Sequence, residues 1–159
     1  MEVYFLRHGD AGAAGDWKGS DAERPLSKDG AAQMEKEAAA IARLGLRLDT
    51  ILTSPLVRAR QTAEIVTKEL QLAQALVVEK RLAPGFGTGE LQRILKERRA
   101  ARGLLLVGHE PDFSLMVAEL CGGGRVLMKK AGLAEVDVQP SNPSWGTLVW
   151  LAPPRSLTG

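Results

Sequence analysis

Gly103-Leu104-Leu105-Leu106-Val107-Gly108 is the stretch on which the reading of the fold turns. Four consecutive apolar side chains between two glycines leave no polar face, so a strand here must be covered on both sides. Such a strand belongs inside a largely parallel sheet with helices above and below it. Just upstream, Glu90 to Ala101 sets Leu91, Ile94 and Leu95 among charges at helical spacing. Just downstream, Asp112 or Ser114 is placed to cap a helix that ends near Cys121, before the glycine run 122 to 124. Further out, residues 2 to 7 (Glu-Val-Tyr-Phe-Leu-Arg) read as a strand followed by a loop holding Gly9, Gly12 and Gly15. Ser27 is the expected cap of a helix over 29 to 44, with Ile41 and Leu44 on its apolar stripe. Asp49 to Thr53 reads as a second strand, and Ser54 and Pro55 as cap and first-turn residue of a helix running to about Leu72. Ala75 to Val78 reads as a third strand, and Leu133 to Val138 and Thr147 to Leu151 as two more, divided by a turn at Pro140 to Ser144. Strands alternating with helices imply a three-layer α/β/α sandwich with a largely parallel sheet.

With 159 residues, 45% of them hydrophobic, the chain can bury one core but not two, and the expectation is a single domain over residues 1–159. The net charge of +2 suits an anionic ligand, whereas an aromatic content of 4% and scattered basic residues argue against nucleic-acid binding. Apolar runs such as Leu104 to Val107 are far too short for a membrane span, and the chain opens on a strand pattern rather than a leader. A cytoplasmic protein without membrane association is expected. Cys121 is the one cysteine, so no internal disulfide can form.

The chain has two histidines, His8 and His109, and each lies just past the C-terminal end of an apolar strand, where ligands of open α/β sheets bind. A lone histidine at such a place is most often an ordinary hydrogen-bonded polar residue; two at equivalent places weaken that reading. Arg7 adjoins His8, and Arg58 falls in the first turn of the helix after the second strand. Guanidiniums pair bidentately with phosphate oxygens and keep their charge at any working pH, so two that converge select a phosphoryl group. The plain alternative for Arg58 is a surface ion pair with Glu35 or Glu64. A cationic neighbourhood also lowers an imidazole's pKa, which keeps it neutral and nucleophilic. Two histidines without a cluster of carboxylates make a poor metal site, so neither metal nor other cofactor is expected.

These residues also resemble a known family. Leu6-Arg7-His8-Gly9-Asp10-Ala11 is similar to the Arg-His-Gly signature of the histidine phosphatase superfamily, which includes the phosphoglycerate mutases. Ser54-Pro55-Leu56-Val57-Arg58-Ala59-Arg60-Gln61-Thr62 resembles its Ser-Pro-x-x-Arg-Ala-x-x-Thr motif, and Val107-Gly108-His109 its second histidine motif. Arg24-Pro25-Leu26-Ser27 with Gly30, and Gly108-His109-Glu110-Pro111, look most like the SixA-type phosphohistidine phosphatases. Three motifs in the right order on the right elements are hard to obtain by chance.

The resemblance implies a phosphoglycerate mutase-like fold, His8 as a nucleophile that becomes phosphohistidine, Arg7 and Arg58 clamping the phosphate, and His109 contacting it. Relatives usually carry a general acid two residues beyond a leucine in the third loop, where this chain reads Leu82-Ala83-Pro84, and proline cannot donate a proton. Acid-phosphatase relatives place the acid directly after the second histidine, which here is Glu110; it ranks ahead of Glu79 and Glu90, although it could equally be a helix N-terminal carboxylate. A missing acid suits an imidazole leaving group, which needs less protonation than an alkoxide. The short 82–103 stretch lacks the cap of many relatives, leaving room for a phosphorylated protein such as a phosphotransfer domain. The rival readings are a phosphatase of small esters or anhydrides and a non-catalytic phosphate-binding module.

Overall fold

In the computed structural model, which describes residues 1–139 and 141–158, six strands form one sheet. They are β1 (Glu2–Arg7), β2 (Thr50–Thr53), β3 (Leu76–Val78), β4 (Gly103–Gly108), β5 (Leu133–Val138) and β6 (Gly146–Ala152), in the order β3-β2-β4-β1-β5-β6. The pairs β2/β3, β2/β4 and β1/β4 are parallel; β1/β5 and β5/β6 are antiparallel. Five helices accompany them: α1 (Lys28–Arg43), α2 (Val57–Glu69), α3 (Thr88–Glu97), α4 (Asp112–Leu120) and the short α5 (Pro154–Thr158). Pro140, part of the expected turn, lies outside the described residues. No helix among the described residues is long and apolar enough to cross a membrane.

Alternation along the strands builds two cores. Val3, Phe5, Leu52, Leu104 and Leu106 face α3 and α4 through Leu91, Ile94, Phe113 and Val117. Tyr4, Leu6, Ile51, Leu105 and Val107 face α1 and α2 through Met34, Ile41, Ala59 and Val66. The Leu104–Val107 run thus feeds both cores, and all six residues of β4 are buried. Between β1 and β3 the chain travels outward with α1 and α2 on one face; it then reverses, and α3 crosses on the other face as β4 slots between β1 and β2. That switch of faces follows from right-handed crossovers once the direction reverses. The crevice between the carboxyl ends of β1 and β4 is therefore the topological switch point of the sheet.

Several local expectations are corrected. α2 begins at Val57, not at Ser54, because the Ser54 amide continues the β ladder by donating to the Val107 carbonyl at 2.9 Å. Neither Asp112 nor Ser114 caps α4: the Asp112 carboxylate accepts from the amides of Gly85 and Phe86, and Ser114 is itself bound by Glu110. Leu44 is exposed past the end of α1, and α3 starts two residues earlier and ends four residues earlier than its apolar spacing suggested. Ser27 does cap α1, its Oγ accepting from the Gly30 amide at 2.9 Å. Gly30 is required there: a Cβ would stand 2.0 Å from the Asp10 carbonyl oxygen, so only glycine lets α1 press on the loop after β1.

Candidate active site

Because Arg7 lies opposite Gly108 in the β1/β4 register, the next residue of each strand emerges beside the other, and these are His8 and His109. Their ring centroids are 5.1 Å apart. β2, on the far side of β4, delivers Ser54 and then Arg58 from the start of α2. Thr62, one turn on, ties α2 to the loop by accepting from the Gly9 amide and donating to the Arg58 carbonyl. Arg7, His8, Arg58, His109 and Glu110 line one pocket of about 360 Å³, with Asp21, Arg24, Pro84 and Lys130 also on its wall.

A hydrogen bond fixes the proton on the His8 imidazole. His8 Nδ1 is 2.7 Å from the Gly9 carbonyl oxygen, which can only accept, so Nδ1 carries the hydrogen and Nε2 carries the lone pair. Arg58 Nε donates to that Nε2 at 3.2 Å. His109 Nε2 is 2.7 Å from Ser54 Oγ, and Ser54 Oγ already accepts from the Leu56 amide. With one lone pair and its hydrogen both still free, Ser54 Oγ serves either tautomer of His109, and His109 Nδ1 is buried without a partner among the described residues.

Both rings are held neutral. The His8 pKa is pushed down to about 4, chiefly by burial and further by the Arg58, Arg7 and Arg24 charges, against the opposing pull of the Gly9 carbonyl. The cationic neighbourhood expected from sequence is thus the smaller cause. His109 falls to about 3, again chiefly through burial, then through His8 and Arg58.

The two arginines are anchored differently. Arg58 is almost wholly buried and pairs with neither Glu35 nor Glu64; Nη1 donates to the Asp21 carbonyl at 2.7 Å and Nη2 to Asp21 Oδ2 at 2.9 Å. Arg7 donates from Nη1 to the Met128 carbonyl at 2.8 Å, while its Nε is buried with no partner among the described residues. Glu110 has both oxygens engaged, Oε1 accepting from the Ser114 amide at 3.2 Å and Oε2 from Ser114 Oγ at 2.6 Å. It thereby serves the first turn of α4. Glu79 and Glu90 pair with Arg81 and Arg93 and do not line the pocket. Among the described residues no three His, Cys, Asp or Glu side chains stand together to hold a metal ion. Two wall residues, Asp21 and Lys130, were not picked out from the sequence; Ser54, expected as a helix cap, instead meets His109 Nε2. Arg24 sat in a recognised motif, which was the available signal; Asp21, three residues before it, had none.

Fold and pocket together define a class: α/β proteins whose sheet carries, at its switch point, two neutral imidazoles walled by guanidiniums. The histidine phosphatase superfamily (branch 1) matches residues 3–103, and the chain belongs to that superfamily. It is 32% identical over 162 residues to the phosphohistidine phosphatase SixA of Escherichia coli, covering 99% of this chain and 96% of that one. A solved structure of the protein histidine phosphatase SixA complexed with tungstate superposes with a TM-score of 0.86 at 31% identity, covering 99% of both chains. The phosphoglycerate mutase of Bacillus anthracis, at 14% identity and a TM-score of 0.71 over 99% of this chain and 95% of that one, shares the fold.

Proposed function

We propose that the protein is a phosphohistidine phosphatase that works through a covalent intermediate on His8. In the first step the lone pair on His8 Nε2 forms a bond to phosphorus while the phosphorus–nitrogen bond of the substrate breaks, its electron pair going to the departing ring. That ring leaves as a neutral imidazole because its other nitrogen has taken up a proton from solvent. In the second, water attacks the phosphorus, the bond to Nε2 breaks, and inorganic phosphate is released with a proton. The observation that carries this reading is the convergence of Arg7, Arg58 and His109 on one pocket around His8, whose Nε2 is kept unprotonated because Nδ1 holds the hydrogen. Guanidiniums that converge on such a pocket pair with the oxygens of a phosphoryl group and offset its charge. Arg7, Arg58 and His109 hold the three non-bridging oxygens and stabilise their charge during transfer, where positioning and electrostatics do most of the work.

The leaving group explains why a weak acid suffices. Pro84 stands on the pocket wall where a proton donor would be useful, and Glu110 is tied to Ser114 through both oxygens. We assign Glu110 at most a minor part in proton delivery, since an imidazole leaves with less help than an alkoxide. The substrate class proposed is phosphohistidine on a protein, because the similar SixA is a protein histidine phosphatase and because the pocket opens to the surface; a phosphotransfer domain is a protein of that kind. The test is rapid mixing with a phosphohistidine protein labelled at phosphorus, followed by a quench. Label should appear on the chain in a bond stable to alkali and labile to acid, and His8→Ala should abolish label and turnover together. Labelling that persists in that variant refutes His8 as the nucleophile; faster turnover of p-nitrophenyl phosphate than of phosphohistidine refutes the substrate class.

A further inference from the structure

A guanidinium has two edges that can meet an oxyanion: an end edge formed by Nη1 and Nη2, and a side edge formed by Nε and one terminal nitrogen. In Arg58 the side edge faces His8, since Nε donates to His8 Nε2 at 3.2 Å. The end edge is filled by a single residue, Asp21, through its carbonyl oxygen at 2.7 Å and its Oδ2 at 2.9 Å. Asp21 is steadied in turn: its Oδ1 accepts from Arg24 Nε at 3.0 Å, and Arg24 Nη1 donates to the carbonyls of Ala11 and Gly12 at 3.0 and 2.9 Å. A closed circuit results, from the loop after His8 through Arg24 and Asp21 to Arg58 and back to the His8 ring. Asp21's side chain is 56% exposed against 6% for Arg58, and an ion pair with so exposed a partner contributes little to stability. What the pair does supply is direction, because two anchors on one edge and one on Nε fix the plane of a side chain that otherwise has several rotamers.

We propose that Asp21, steadied by Arg24, is a positioning residue for phosphoryl transfer: it occupies the end edge of Arg58 so that the side edge is presented to the phosphorus-bound oxygens over His8. This rests on the phosphatase reading above and adds to it a residue that never touches the phosphoryl group. Because Asp21 fills the edge turned away from His8, it orients the clamp without competing for the oxyanion.

The test is a double-mutant cycle read by vanadate affinity and by kcat/KM, using Asp21→Ala, Arg58→Ala and the double variant, with Asp21→Asn as the conservative rescue. Asp21→Ala should weaken vanadate binding about tenfold, and Asp21→Asn should recover part of the loss because its amide oxygen can still accept from Nη2. In the Arg58→Ala background Asp21→Ala should have no further effect, a non-additivity that general loosening of an exposed loop would not produce. Losses that add, or an Asp21→Ala variant that binds vanadate as well as or better than the parent, overturn the proposal alone. A wild-type chain that binds no vanadate overturns it together with the phosphatase reading.

Discussion

Lowering the pH should destabilise this protein through the two histidines, and a buried glutamate should partly conceal the effect. His8 and His109 titrate near 6.5 when unfolded but near 4 and 3 in the fold, so between about pH 6.5 and 4.5 the unfolded chain binds two protons that the folded chain refuses. Stability contributed by these rings is present above 6.5 and lost as pH falls. Glu37 works in the opposite sense. It lies buried in α1 with Oε2 unpartnered among the described residues, and burial raises its pKa from 4.5 to about 7, so in the same window it is protonated in the fold and ionised when unfolded. Two protons taken up by the unfolded state minus one by the folded state leaves one, or about 1.4 kcal/mol per pH unit. Over two units the loss is about 3 kcal/mol, a large share of an ordinary domain's stability. Urea unfolding at half-unit steps from pH 6.5 to 4.5 measures it. Glu37→Gln removes the opposing proton and should roughly double the slope, to about 2.8 kcal/mol per unit. A flat or inverted profile in the parent, or an unchanged slope in the Glu37 variant, refutes the reasoning.

Other outcomes follow from the site's construction. Arg58→Lys keeps the charge but loses the fork, so kcat/KM should fall by roughly a hundredfold, while Arg60→Lys, on the exposed side of α2, should be silent; equal effects would undo the assignment of Arg58. Ser54→Ala removes the hydrogen-bond partner of His109 Nε2 and should cost about 1–3 kcal/mol in denaturant unfolding while weakening vanadate binding, because the His109 ring loses the contact that orients it. Gly30→Ala sets a methyl against the Asp10 carbonyl and should destabilise by at least 1–3 kcal/mol; a neutral result would show that α1 can move off the loop.

The strands were legible because what makes them is local. Leu104 to Val107 states in four letters that both its faces are buried, and the β1 pattern is equally plain. Both histidines and Arg58 were legible through their places at strand and helix ends. Ser54 was misread for a physical reason: serine before proline carries a helix-start signal, yet its amide is claimed by β4 and its hydroxyl by His109, 55 residues away. Asp21 was invisible because its meaning comes entirely from Arg58 and Arg24, side chains that only the folded chain brings to it. The short α5 carries too few residues to show a period, and its proline at the first position is the one trace it leaves.

The register that sets His8 beside His109 also decides how the pocket responds to heat. The His8 amide donates to the Gly108 carbonyl and the Ser54 amide to the Val107 carbonyl, so the floor is stitched into central strands whose hydrogen bonds open only when the whole sheet does. The wall is different: residues 12–23, which carry Asp21, are exposed throughout and held by two single turns and a few side-chain contacts. Amide exchange should therefore be slow at His8 and Ser54 and fast across 12–23. On warming, turnover should decline while the sheet's circular dichroism is still unchanged, since the pocket loses one side long before it loses its base.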